Sequence, residues 1–202
     1  DVFLENRQTN PQIKSFELSL KGLKFPPMDL KKSLPQQTIM MSVARGAVAD
    51  AGGLTGYEAT TGTFIGMQCD AEIARFGVRW RMSEWAEKWS HSSQTEFDTQ
   101  WSQQARDAAG PFLESAGVVG AMPNIPANRL NSQFDWGGYS FVTCSEELSG
   151  IVALNTAISA LQNNELDVAL VGAVDLSCEP VNQTAATHTL PVTRHQAGDA
   201  AV

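Results

Sequence analysis

Two adjacent glutamates, Glu146 and Glu147, stand between two apolar segments. Before them lies Ser140–Cys144 (SFVTC), and after them a run from Leu148 to Asn163 without a charged residue. β-branched and aromatic residues in the first segment predict a strand, and the length of the second predicts a helix. Ser145 is placed as N-cap, with Glu146 and Glu147 in the first helical turn. The start of a helix stabilises negative charge, because its first N–H groups lack partners within the helix. A cysteine at such a turn becomes a thiolate nucleophile. A carboxylate is stabilised there too, but it is a weak nucleophile. Acidic residues also favour helix starts without any chemistry. The residues alone leave both readings open.

Other chemistry-bearing residues form no constellation. Cys69, Cys144 and Cys178 are far apart and include no CxxC pair, which fits small buried side chains in a reducing cytoplasm. His91, His188 and His195 lack zinc-ligand spacing, so neither a metal nor another cofactor is expected. No G-x-S-x-G occurs, which disfavours a serine hydrolase of that type.

The elements around the glutamates follow from pattern. Leu34-Pro35-Gln36-Gln37 opens a helix with proline in its first turn. Ile39, Met40, Val43, Ala47 and Val48 give it an apolar face, and Gly52-Gly53 end it. Thr61–Met67 reads as a short strand. Lys24–Asp29, with Pro26 and Pro27, is expected to be neither regular helix nor central strand, and Phe16–Leu20 is a possible strand. Phe134–Gly138 reads as a turn. The helix after the glutamates carries large residues at Ile151, Leu154, Ile158 and Leu161, and small ones at Ala153, Ala157 and Ala160. Two apolar faces predict burial on most sides. Asp167–Leu176 is a near-continuous apolar strand. Strand, helix, strand predicts a crossover unit and a layered α/β fold.

Residues 70–110 stand apart, with four of the five tryptophans (Trp80, Trp85, Trp89 and Trp101) and many charges. They are expected to form a helical excursion that packs its tryptophans onto the domain. The functional reading is an insertion that faces a partner or lids a substrate.

The 202 residues suffice for one sizeable domain. A net charge of -8 argues against a nucleic-acid groove, and no apolar run is long enough to span a bilayer. No signal peptide is visible, so a cytoplasmic location is expected.

The order of motifs resembles the β-ketoacyl synthases, the condensing enzymes of fatty-acid and polyketide synthesis. Asn128-Arg129-Leu130-Asn131, Phe134-Asp135 and Ile151-Val152-Ala153-Leu154 are similar to that family's N-R-I-S, its phenylalanine-aspartate turn and its L-V-A-L. Asp167–Val174 resembles its D-x-A-L-A-G-G-V strand, and Thr63-Phe64-Ile65-Gly66 its G-V-F-V-G. Leu34–Gln37 with Ala49-Asp50-Ala51-Gly52, and Gly198–Val202, resemble its D-P-Q-Q, E-D-A-G and G-E-G-A-G-V. The resemblance implies a thiolase-like fold: a layered mixed sheet with a buried central helix, of which this chain covers most of the first half. The family's first strand and its second, histidine-bearing half are not found, and His188 and His195 match neither histidine motif.

Aligned without a gap, Glu147 occupies the position of the family's nucleophilic cysteine, Glu146 the alanine before it, and Cys144 an aspartate three earlier. Ser145-Glu146-Glu147-Leu148-Ser149, with L-P-Q-Q and F-P-P-M, is similar to the chain-length-factor type found in polyunsaturated fatty acid synthases. The resemblance implies a non-condensing subunit or domain that pairs with an active ketosynthase and shapes its acyl tunnel. Dimer contact is expected through Ser140–Cys144. The alternative is an enzyme, either a condensing enzyme with a displaced nucleophile or a malonyl decarboxylase using split carboxylate pKa values. An ionised Glu147 would repel a malonyl group. Docking of an acyl carrier protein is a third expectation, which acidic charge on both partners disfavours.

Overall fold

A computed structural model describes residues 12–70, 73–93, 95–195 and 198–202. Its elements are α1 (Pro27–Lys31), α2 (Pro35–Asp50), β1 (Thr61–Met67), α3 (Ile73–Ser93), α4 (Thr99–Ala109) and α5 (Ser115–Ala121). They continue with α6 (Ile125–Phe134), β2 (Ser140–Thr143), α7 (Ser149–Gln162), β3 (Val168–Leu176), α8 (Pro180–Thr189) and β4 (Asp199–Ala201).

The four strands form one mixed sheet in the order β2-β1-β3-β4. Strand β1 is parallel to both neighbours, with Thr63 opposite Ser140 and Leu170, while β4 runs antiparallel to β3. Alternation along β1 divides the core in two. Ile65 and Met67 join Ile39, Met40 and Met41 of α2 and Leu130 of α6 on one face. Phe64 turns to the other face and packs with Ala153, Ala157 and Ala160 of α7. Phe64 is fully buried, and burying a side chain of that size contributes about 1.5–3 kcal/mol. This is the layered α/β architecture that the sequence implied.

Three expectations give way. The double proline does not forbid a helix: Pro26 is the N-cap of α1 and Pro27 its first residue, where a missing N–H costs nothing. Phe16–Leu20 is not a strand, and the nearby Ser19 and Lys21 carbonyls accept instead from the Arg45 guanidinium at 2.8 and 2.7 Å. Helix α7 buries only its small face. A Cβ on Gly66 would meet the backbone of Ser149 and Gly150, so the helix sits too close to β1 for bulky side chains. Ala153 is 0% exposed, whereas Ile151 is 58% and Leu154 47%. Nothing among the described residues covers that large stripe.

The tryptophan-rich segment is helical, as expected, but its aromatics pack on one another. Trp89 lies 6.1 Å from Trp85, 6.3 Å from Phe97 and 6.4 Å from Trp101, measured between ring centroids. Trp80 stands 85% exposed. Helices α3 and α4 thus form a hairpin closed by Arg79, which donates to Asp107 at 2.7 Å and to the Gly110 carbonyl at 2.9 Å. Arg75 ties it to the domain through Glu179, itself the N-cap of α8.

No helix among the described residues is long and apolar enough to cross a membrane.

Candidate functional site

The parallel strands β1, β2 and β3 end on the same side of the sheet, and the turn from β2 into α7 lies there. Ligand sites in open α/β sheets gather at these carboxyl ends. Asn128–Asn131 on α6 sets the position of β2. The Ser140 hydroxyl donates to Asn128 Oδ1 at 2.8 Å, and Thr63 of β1 donates to Asn131 Oδ1 at 2.6 Å. Asn131 Nδ2 donates to the Gly138 carbonyl at 2.6 Å. Between them, buried Arg129 donates to Ser33 Oγ and Gln37 Oε1 and lies over the Phe25 ring. The asparagine-arginine motif is therefore a structural clamp joining α6 to α2, β1 and β2.

The strand ends at Thr143, so Cys144 stands just beyond it, and the helix begins at Ser149 rather than at Ser145. Glu146 and Glu147 accordingly precede the helix instead of forming its first turn. Leu148 occupies the cap position with no side-chain cap bond, and the Ser149 hydroxyl instead ties the preceding turn, accepting from the Ser145 N–H at 2.9 Å and donating to the Glu146 carbonyl at 2.6 Å. Those bonds draw the chain into a tight turn. Glu146 takes the left-handed conformation, with φ 50°, which a glutamate rarely adopts. The strained residue of this strand-to-helix turn is thus Glu146, one before the predicted nucleophile position.

Both carboxylates converge on one cation. Arg194 donates to Glu146 at 3.0 Å and to Glu147 at 2.7 Å. Its three-residue turn, Val192–Arg194, is more than forty positions away in sequence. The Glu147 carboxyl is held below the usual carboxylate range. Its own backbone N–H is the largest cause, desolvation opposes this, and attraction and hydrogen bonding from Arg194 reinforce it. Hydrogen bonding to Glu146 and attraction to Glu147 raise the Arg194 guanidinium still further. Glu147 is consequently an ionised, charge-paired side chain, the opposite of a poised proton donor.

The triad lines a cavity of about 410 Å³ together with Gln68, Asp175 and Asn182. Its walls beside the glutamates carry amides and carboxylates. His195 also lines it, but its Nε2–H donates to the Leu190 carbonyl at 2.8 Å, which occupies that nitrogen with a structural bond. A neighbouring cavity of about 250 Å³ shares Glu146 and Glu147 and is bounded by Gly66, Ser149 and Gly150. Arg194 was not legible in the sequence. It belongs to no motif, and only the return of the chain past α8 brings it to the turn.

Residues 12–199 match the family described as beta-ketoacyl synthase, N-terminal domain. The highly reducing polyketide synthase sphB of Aspergillus fumigatus is 30% identical over 152 residues, 75% of this chain and 5% of that protein. The highly reducing polyketide synthase frbB of Dothideomycetidae sp. is 28% identical over 158 residues, again 5% of its length. The chain thus spans about 5% of these curated relatives. Among solved structures, the PfaC keto synthase-chain length factor superposes with a TM-score of 0.69 at 21% identity, covering 88% of this chain and 21% of that one. The ishigamide ketosynthase/chain length factor gives 0.61 at 14% identity, covering 94% and 47%. At these identities the structural likeness concerns the fold.

Proposed function

The chain belongs to the β-ketoacyl synthase family, and from that premise we propose that it is a non-condensing domain of the chain-length-factor type. It pairs with an active ketosynthase and contributes to the wall of that partner's acyl tunnel. The observation that carries this reading is the turn between β2 and α7. Where the family's condensing members place a cysteine, this chain aligns Glu147, ionised and paired with Arg194 at 2.7 Å. A carboxylate attacking a thioester would give a mixed anhydride, more reactive than the thioester it came from. The ion pair also lowers the electron density available for attack.

Two further observations support a scaffold role. Strand β2 lies at the sheet's end, so its outer edge is unpaired among the described residues and can pair with a partner's strand. The resemblance implied contact through Ser140–Cys144, and this edge, with Ser140–Thr143 as the strand itself, supports that reading. The motif S-E-E-L-S favours polyunsaturated fatty acid synthesis as the setting, and the curated relatives favour polyketide synthesis. The shared chemistry is extension of a carrier-bound acyl chain.

The test is Glu147→Ala in the intact synthase. Near-normal product output with unchanged chain length agrees with an architectural role. Complete loss of condensation would overturn it.

A further inference from the structure

Away from the glutamate turn, a cavity of about 270 Å³ opens where α1, the start of α2, α3 and α5 come together. It shares no lining residue with the two cavities beside Glu146 and Glu147. Leu34, Phe76 and Phe112 supply apolar wall, and Lys31, Lys32 and Arg75 supply charge. No described carboxylate lines it, although the protein carries a net charge of -8. The two lysines close α1, whose last carbonyls favour positive charge. The Leu34 N–H donates to the Gly120 carbonyl at 3.0 Å and seats this corner on α5. A Cβ on Gly110 would stand 3.4 Å from Arg75 Cβ, so the chain leaving α4 passes close to α3 and carries Phe112 to the cavity.

The charges on this wall are incompletely answered. Lys32 pairs with Glu114 at 3.4 Å, and Arg75 with Glu179 at 2.9 Å. Lys31 has no acidic partner among the described residues. Arg75 uses Nη2 for its pair, and its Nε–H is buried without an acceptor. Buried donors are paired as a rule, so this one leaves a place for an incoming acceptor. Phe112 is 70% exposed, and the Arg79 guanidinium lies 5.9 Å from its ring centroid.

We propose that this cavity binds a small organic anion, a carboxylate carried on a flat apolar body. The carboxylate is held by the Lys31 ammonium, with Arg75 as the second cation on that wall, in charge-assisted hydrogen bonds. The apolar body lies against Leu34 and the rings of Phe76 and Phe112, where an aromatic ligand gains from ring packing. The volume is just under the range of about 300–1,000 Å³ usual for drug-sized ligands, so a body of one or two fused rings suits it. Selectivity follows from the charges. A cationic ligand of the same shape is repelled by three like charges, and a neutral one leaves Lys31 unanswered. The site is separate from the turn between β2 and α7, and the inference does not depend on the role proposed for Glu147.

The experiment titrates the intact protein with 2-naphthoate by isothermal calorimetry, beside neutral 2-naphthamide and cationic 2-naphthylmethylammonium. The expected result is saturable binding of the naphthoate, with the naphthamide about tenfold weaker and the ammonium weaker still. Lys31→Glu reverses an exposed charge on the cavity wall and should weaken naphthoate binding about tenfold. Phe112→Ala, also at an exposed position, should weaken it about fivefold. Lys21→Glu makes the same charge change beside Arg45, which lies about 15 Å along α2 from Pro35, and should leave the affinity unchanged. Absence of saturable naphthoate binding, equal affinity for the naphthamide, or an equal loss in Lys21→Glu and Lys31→Glu would overturn the inference.

Discussion

The seat of α7 on β1 can be broken by one methyl group. A Cβ at Gly66 would stand 2.5 Å from the Ser149 carbonyl oxygen, and closer still to the Ser149 carbonyl carbon and the Gly150 nitrogen. Ordinary contact begins near 3.4 Å, so Gly66→Ala requires the start of α7 to lift by about 1 Å. Both sides of the collision are main chain and cannot rotate away. Overpacking of this kind costs about 1–3 kcal/mol, and the absence of a flexible side chain argues for the upper end. For a domain of this size, about 3 kcal/mol lowers the unfolding midpoint by roughly 6–12 °C. Gly46 is the internal control. It lies exposed within α2 and a Cβ there meets nothing within 4 Å, so Gly46→Ala should add about 0.5–1 kcal/mol through helix propensity. Thermal and urea unfolding of both variants measures the contrast. A midpoint for Gly66→Ala equal to that of Gly46→Ala would refute the packing of this helix against its strand.

The turn itself gives two more predictions. Glu146→Gly and Glu146→Ala remove the same carboxylate but differ in tolerance of φ 50°, so the glycine variant should be more stable by about 1 kcal/mol in urea unfolding, and equal midpoints would contradict the strain. Because Glu147 is held below its ordinary pKa, its ion pair contributes fully above about pH 4.3 and is lost as pH falls through the lower folded-state value. The stability gap between the unsubstituted protein and Glu147→Gln should therefore close on acidification. It should also shrink with added salt, since the groups are exposed, and a gap that widens below pH 4 would contradict the assignment.

The central strands and the turn's location were readable because their signals are local. Thr61–Met67 is bounded by the residues that the apolar pattern marked, and Gly52 and Gly53 end α2 at positive φ. The misplacements have physical causes. Serine is a good N-cap, but the three-dimensional path starts the helix after Leu148, and the Ser145 N–H donates to Ser149 within the turn instead. Apolar residues on α7 predicted burial, but pattern alone does not say that the near strand admits only alanines. The tryptophans of α3 and α4 carried a strong signal for packing and none for their partner, which proved to be each other. Arg194 acts over a separation that no local periodicity reports.

The most direct test of the scaffold reading follows the acyl group. The intact protein is incubated with its active ketosynthase and a radiolabelled acyl carrier thioester, and both chains are examined by intact-mass and peptide analysis. The expected result is label on the ketosynthase thiol and none on this chain. A covalent acyl group on Glu147 or on Cys144 would show that the turn between β2 and α7 retains its chemistry.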